Sequence, residues 1–274
     1  MVAAAAGSLA DVFAHLPRSI TQRFLGAIAV EQSGWVGPRA NSLAAREDTV
    51  WPHTPLSDVV RTSVLTAHES ANHALALLEA DVPPAQVAFY TMARCTLVGA
   101  SQALWLVNAG EPQLRQARTL TVLRHDHSQR MKFHKSQARS TDPDRAAHAA
   151  HIIEFWGARI REIDRALVGL PPVPRQPTTT EMISWAAENE FTAESDAVST
   201  FLATWQISSG YAHALPWPNF VLPGATLIHP DGKGPTPFRI GFHHERAWEE
   251  LATCVSVLGL SNRAALTHAG YCVE

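Results

Sequence analysis

The sequence predicts a mainly α fold: an antiparallel helical bundle with additional C-terminal helices and a small β-hairpin near residues 225–242. Three observations predict it. Acceptor–proline pairs and short breaks divide the middle of the chain into four long stretches joined by short connections, as in a bundle. Ala149, Ile152, Ile153, Trp156, Ile160, Ile163 and Leu167 recur at i, i+3, i+4, which is helical periodicity. Only one region reads as strand: Ala225–Ile228 and Phe238–Phe242 flank the turn-rich HPDGKGPT.

In chain order, residues 1–53 read as two short helices, about 8–15 and 18–30, followed by an irregular cover holding Trp35 and Trp51. Thr54-Pro55 supplies an N-cap hydroxyl and a proline at the first helical position, opening a helix to about residue 80. On it Val60, Val64, Ala67, Ala71 and Leu78 form one stripe. Pro84 opens a helix to about 108, Glu111-Pro112 one to about 138, and Asp142-Pro143 one to about 169. PPVPRQP at 171–177 is a stiff linker. Helices at about 179–188, 193–214 and 245–268 complete the chain, the hairpin lying between the last two. No internal repeat occurs. The reading is one domain over 1–274: an N-terminal cover (1–53), a four-helix bundle (54–169), and C-terminal helices with the hairpin (179–274).

Bulk composition removes several function classes. With 46% hydrophobic and 17% charged residues, the chain affords a large core and is not globally disordered. A net charge of −3 does not advertise nucleic acid or an anionic membrane. Cys95, Cys254 and Cys272 form no C-x-x-C pair and are too few for a disulfide scaffold. MVAAAAGSLADVF lacks the basic n-region of a signal peptide, so the expected compartment is the cytoplasm. From Val82 to Gly110 Arg94 is the sole charge, but Pro83, Pro84, Gln86, Thr91, Gln102 and Asn108 interrupt the stretch short of the ~18 apolar residues of a membrane span.

The chain has 14 histidines, several beside carboxylates: His68, Glu69 and His73; His125, Asp126 and His127; His148, His151 and Glu154. A carboxylate-bridged metal bundle needs Glu-x-x-His pairs projecting inward, and none occurs. The apolar stripe of the 142–169 helix places His151 and Glu154 on its far side. On the 111–138 helix His127 and His134 share the inward face with Leu120, Leu123 and Met131, and read as core histidines. No metal or other cofactor is expected. Of the seven basic residues from Arg115 to Arg139, spread around their helix, a solvated helix is the reading, with RNA contact as the alternative.

The segment Trp205 to His213 (WQISSGYAH), followed by Trp217, resembles a run in uncharacterised actinobacterial all-helical proteins of HEPN-like character: aromatic-Arg-x-x-Ser-Gly-x-Ala-His. Ser209, Gly210, Ala212 and His213 match, PTTTEMI at 177–183 is similar, and the resemblance spans about residues 90–217. It implies a helical fold. Ribonucleases of the HEPN type pair an arginine and a histidine on one helix face, the cation holding phosphate while the imidazole moves the ribose proton. That resemblance implies His213 and Ser209 as catalytic candidates. The arginine's position is Gln206 here, which can hydrogen-bond but has no charge to hold a phosphate. Elsewhere Arg46/His53, Arg61/His68, Arg118/His125, Arg145/His151, Arg239/His244 and Arg263/His268 stand at permitted spacings, but with so many of both residues the bare pattern decides nothing.

Arg94 is the other candidate centre. At 100° per residue Tyr90, Arg94, Ser101, Trp105 and Asn108 line one face of an otherwise apolar helix. A buried guanidinium needs a partner: Glu69, Asp126 or an anionic ligand. The sequence thus predicts Arg94 at the end of an internal cavity lined by Tyr90, Ser101 and Trp105. Three function classes stay open: a HEPN-like module for a nucleotide, RNA or other anionic ligand with a degenerate motif at Gln206; an enzyme or binder of a small anionic or aromatic molecule around Arg94; and, third, a metal-dependent bundle. Expected partners are accordingly a small anionic ligand or RNA, with a homodimer open and no membrane; a reaction type cannot be read from the residues.

Overall fold

The computed structural model describes residues 21–23, 25–28, 35, 37–80, 85–173, 177–191, 196–221, 225–227 and 238–272. Over these the chain is mainly α. Residues 21–23 and 25–28 are helical, while the helix expected at 8–15 lies outside the described residues. Then follow α1 (Leu43–Glu47), a 3-10 turn (Asp48–Val50), α2 (Leu56–Glu79), α3 (Gln86–Val107), α4 (Pro112–Gln137), α5 (Pro143–Ala166), α6 (Thr179–Glu190), α7 (Ala197–Ala212), α8 (Pro218–Val221) and α9 (His244–His268). Segments β1 (Ala225–Leu227) and β2 (Phe238–Ile240) pair antiparallel, Thr226 opposite Arg239. The turn expected between them, like the break at Pro83-Pro84, lies outside the described residues. A three-residue ladder adds no layer to the fold. Among the described residues no helix is long and apolar enough to cross a membrane.

Local chemistry explains the helix ends. Asp142 caps α5 by accepting from the amides of Asp144 (3.0 Å) and Arg145 (3.4 Å), and Pro143 occupies the first turn, where its missing N–H costs nothing. Thr178 and Glu181 form a reciprocal capping box on α6. At α2 the expected start is corrected by one residue. Pro55, not Thr54, is the cap, and Asp48 reaches across from the 3-10 turn to take the Ser57 amide (2.8 Å) and hydroxyl (2.7 Å). A remote carboxylate does what Thr54 was expected to do.

The core centres on α3, which packs against α2, α9, α7 and α6 and touches α4. Ala67, Ala71, Phe89, Leu97, Ala100, Leu104, Ile183 and Leu258 have almost no exposure. The helices around α3 therefore come from both halves of the chain rather than from 54–169 alone. α5 packs chiefly on α4. The two run antiparallel, Arg124 midway along α4 meeting Asp164 near the end of α5, and Gln137 at the end of α4 meeting Arg145 near the start of α5. The α5 stripe does face its neighbour, but with one helix to cover it only Ala149 and Ile163 are buried, and Ile152, Ile153, Trp156 and Ile160 are half-buried.

Gly99 sets the distance between α2 and α3. A Cβ built there would stand 2.7 Å from the Ser63 carbonyl oxygen and 3.1 Å from Ala67 Cβ. Alanine favours helix by about 1 kcal/mol over glycine, but here it would push two backbones apart. Gly99→Ala is expected to destabilise by about 1–3 kcal/mol, as overpacking does. A urea midpoint equal to or above that of the wild type would contradict this.

Candidate functional site

α2, α3 and α4 leave a cleft between them of about 420 Å³, open to solvent and within the size range of small-molecule sites. Val59, Val98, Val122 and Leu123 form its apolar wall. Thr62, Ser63, Thr66 and Gln102 give it hydrogen-bonding capacity, and Gln102 Nε2 donates to Ser63 Oγ at 2.8 Å. Its charged residues are Arg94, Arg130, Asp58 and Asp126. Cys95 also lines it as a free thiol.

Arg94 is half-buried, and its Nε is shut off from solvent without meeting a hydrogen-bond acceptor among the described residues. No ion pair among the described residues involves it. Of the two partners expected for it, Asp126 borders the same cleft but is committed elsewhere. Arg130 Nε donates to Asp126 at 2.7 Å, and His127 Nδ1 lies 3.5 Å away. His127 first, and then Arg130, hold the Asp126 carboxyl below its ordinary range against the opposing effect of burial. Glu69 is exposed on α2 and does not line the cleft.

The cavity expected around Tyr90, Ser101 and Trp105 is corrected by this geometry. None of the three lines the cleft. Arg94 stands 40° around α3 from Tyr90 at 100° per residue, and it joins Val98 and Gln102 on the cleft side, while Tyr90 and Ser101 point into the core. Tyr90 stacks on Tyr211 with ring centroids 4.6 Å apart. Ser101 is fully buried, with no hydrogen-bond partner for its hydroxyl among the described residues. Trp105 stacks on Arg118. The sequence reading missed Asp58, Arg130, Cys95 and Gln102. The signal available was the i, i+4, i+8 series Arg94, Val98, Gln102.

The residues carried by the family resemblance have architectural contacts. A Cβ on Gly210 would meet Pro218 Cγ at 2.5 Å and the Trp217 ring at 3.1 Å, so the glycine lets the chain fold back over the end of α7. His213 is the C-cap of α7, its amide donating to the Ser209 carbonyl at 3.0 Å, and its side chain is exposed. Ser209 is half-buried and Gln206 exposed, and neither borders the Arg94 cleft. Of the Arg/His spacings, Arg61 and His68 each have contacts elsewhere: His68 Nε2 contacts the Leu25 carbonyl oxygen at 3.1 Å, and Arg61 lies over Trp35. Of the basic residues between Arg115 and Arg139, Arg115 and Arg118 are buried and Arg124 pairs with Asp164 at 2.6 Å. Of the two histidines expected to face inward, His127 is buried against Trp156 and His134 is half-exposed beside Phe133. Among the described residues no three His, Cys, Asp or Glu side chains converge as metal ligands would.

Two buried polar clusters were not singled out from the sequence. In one, Glu47 accepts from Arg115 Nε (3.0 Å) and Nη2 (2.6 Å), and its other oxygen meets His268 Nε2 at 2.9 Å. Burial alone would raise the Glu47 pKa, but the bonds from His268 and Arg115 outweigh it and leave the carboxyl below its ordinary value. In the other, Glu250 on α9 is almost fully buried near Tyr90, Tyr211 and Cys254, with Arg246 Nε 3.2 Å from Oε1 and, among the described residues, no partner for Oε2. Burial pushes its carboxyl up to about 7 despite Arg246. No protein-family profile, no curated protein and no solved structure matches the chain.

Proposed function

We propose that this protein binds a small molecule bearing an anionic group in the cleft between α2, α3 and α4, with Arg94 as the anchor. The observation that carries the reading is a guanidinium on an open cleft with no carboxylate paired to it among the described residues. A carboxylate or phosphate in the cleft would supply the missing countercharge. The surrounding hydroxyls and the Gln102 amide suit a ligand with further polar groups, and Val59, Val98 and Val122 suit an apolar portion. Asp126 is tied to Arg130, and the other lining carboxylate is the exposed Asp58, so the reading extends to binding and assigns no acid–base step.

The HEPN-like alternative has an exposed imidazole at His213 in its favour, but the side chain about two turns earlier is the uncharged Gln206. Much of the basic charge of α4 is also spent in burial and internal pairs, which leaves little for a phosphate chain. The small-molecule reading is therefore preferred.

The test is a thermal-shift screen of monocarboxylates, phosphomonoesters and nucleoside monophosphates. At least one class is expected to raise the wild-type melting temperature, by mass action on the folded state. Arg94→Ala should abolish that shift while changing intrinsic stability by less than about 1 kcal/mol, because no ion pair is broken. A shift that survives Arg94→Ala, or no shift from any class, would overturn the proposal.

A further inference from the structure

A second groove, of about 460 Å³, shares no residue with the Arg94 cleft. Arg118 lies at its base and is only 9% exposed. Its guanidinium is sandwiched between two indoles, 4.7 Å from the Trp105 ring centroid and 4.9 Å from that of Trp185. Nη1 donates to the Trp105 carbonyl oxygen at 2.5 Å. No carboxylate pairs with it among the described residues. Burial draws its pKa down and no neighbouring acid opposes that, yet an arginine remains a cation at neutral pH. A buried cation stabilised only by ring faces and one carbonyl is incompletely compensated.

The rim has the opposite charge. Glu181 and Glu188 stand two helical turns apart on α6 and are exposed. Glu181 is engaged in its capping box, whereas Glu188 makes no hydrogen bond or ion pair among the described residues. Between base and rim, Leu114, Pro172, Val173 and Trp185 form an apolar wall. One buried positive charge under two exposed negative ones opposes a polyanion such as a nucleotide triphosphate or RNA. It suits a molecule that is anionic at one end and cationic at the other, with an aliphatic stem between.

We propose that this groove is a second ligand site for a basic zwitterion, a basic amino acid or a short peptide ending in one. Its carboxylate meets Arg118, its stem lies along Trp185 and Pro172, and its ammonium or guanidinium faces Glu188. The site is independent of the Arg94 reading.

Isothermal titration of the full chain tests this with four probes: L-arginine, glycyl-lysine, agmatine (which lacks the carboxylate) and glycyl-lysine amide. L-arginine and glycyl-lysine are expected to bind roughly tenfold tighter than the other two. Glu188→Lys, on the exposed surface, should weaken both by about tenfold or more at low salt without changing the melting temperature, and Arg118→Gln should remove the preference for a free carboxylate. Glu188→Lys keeps the question decidable if Arg118→Gln does not fold. Arg94→Ala should leave these affinities unchanged. The proposal is overturned if no probe binds, if the amide binds as well as the acid, if Glu188→Lys has no effect, or if Arg94→Ala removes binding.

Discussion

Glu47→Ala is expected to destabilise the protein by about 3–5 kcal/mol at pH 7, the range for removing one member of a buried ion pair. The carboxylate joins three elements: Glu47 ends α1, Arg115 lies in the first turns of α4, and His268 closes α9. Both side chains of the Arg115–Glu47 bridge are about nine-tenths buried. Without the carboxylate, Arg115 keeps, among the described residues, the Gly110 carbonyl oxygen alone, which Nη1 meets at 2.8 Å. Replacing both members by apolar residues, Glu47→Leu with Arg115→Met, should recover much of the loss, because the cost lies in the stranded charge. The pH dependence has a fixed sign. The folded pKa of Glu47 is lowered, so its stabilisation is complete above the pKa of the unfolded chain and disappears as pH falls through the folded value. The gap between wild type and Glu47→Ala in urea denaturation should therefore be widest near neutrality and close in acid. A gap under about 1 kcal/mol at pH 7 would mean that the bridge is as weak as a surface pair.

What could be read in the sequence was what is encoded locally. Asp142-Pro143 and Glu111-Pro112 each set a cap residue and a first-turn proline beside the helix they start, and those starts agree with the structure. The α5 stripe showed which face packs but not how deeply, because depth depends on how many helices cover it, and α5 has chiefly α4. Thr54 was a reasonable cap that lost to Asp48, a group nine residues before the amide it satisfies.

The same divide runs through the candidate site. Arg94 stood out because its helix carries no other charge, and Asp126 was among its expected partners. The side to which Arg94 turns was not legible: 40° of helix rotation separates the core line of Tyr90 from the cleft, and a long side chain can take either side. The sandwich of Trp105, Arg118 and Trp185 and the bridge of Glu47, Arg115 and His268 join residues tens to hundreds of positions apart, for which one sequence offers no pattern. Glu250 was hidden differently. It follows Glu245 and Glu249 in a run that reads as a solvated acidic face, whereas its side chain turns toward the tyrosine stack.

That burial gives the second large effect, with the opposite sign to Glu47. Glu250 titrates at about 7 when folded because burial penalises its charged form, Arg246 offsets only part of this, and the neighbouring Glu249 adds to it. Oε2 faces no donor, so one oxygen of the carboxylate gains nothing from ionising. The folded state therefore holds this proton over a range in which the unfolded chain, titrating near the ordinary value of 4.5, has released it. Stability from this group is unimpaired below about pH 4.5 and falls as pH rises toward and through 7, by about 3 kcal/mol in all for a shift of this size. Glu250→Gln keeps the shape and removes the titration, leaving the half-buried Arg246 its second partner Glu249 at 3.0 Å. Urea denaturation of both proteins from pH 5 to pH 8.5 should show the variant gaining on the wild type by roughly 2–3 kcal/mol across that window. Any fixed cost of the amide displaces the whole curve and leaves its slope intact. A difference that stays flat from pH 5 to pH 8.5 would mean that Glu250 ionises at an ordinary pKa, which a carboxyl sealed among Tyr90, Tyr211 and Cys254 cannot do without a second cation beside it.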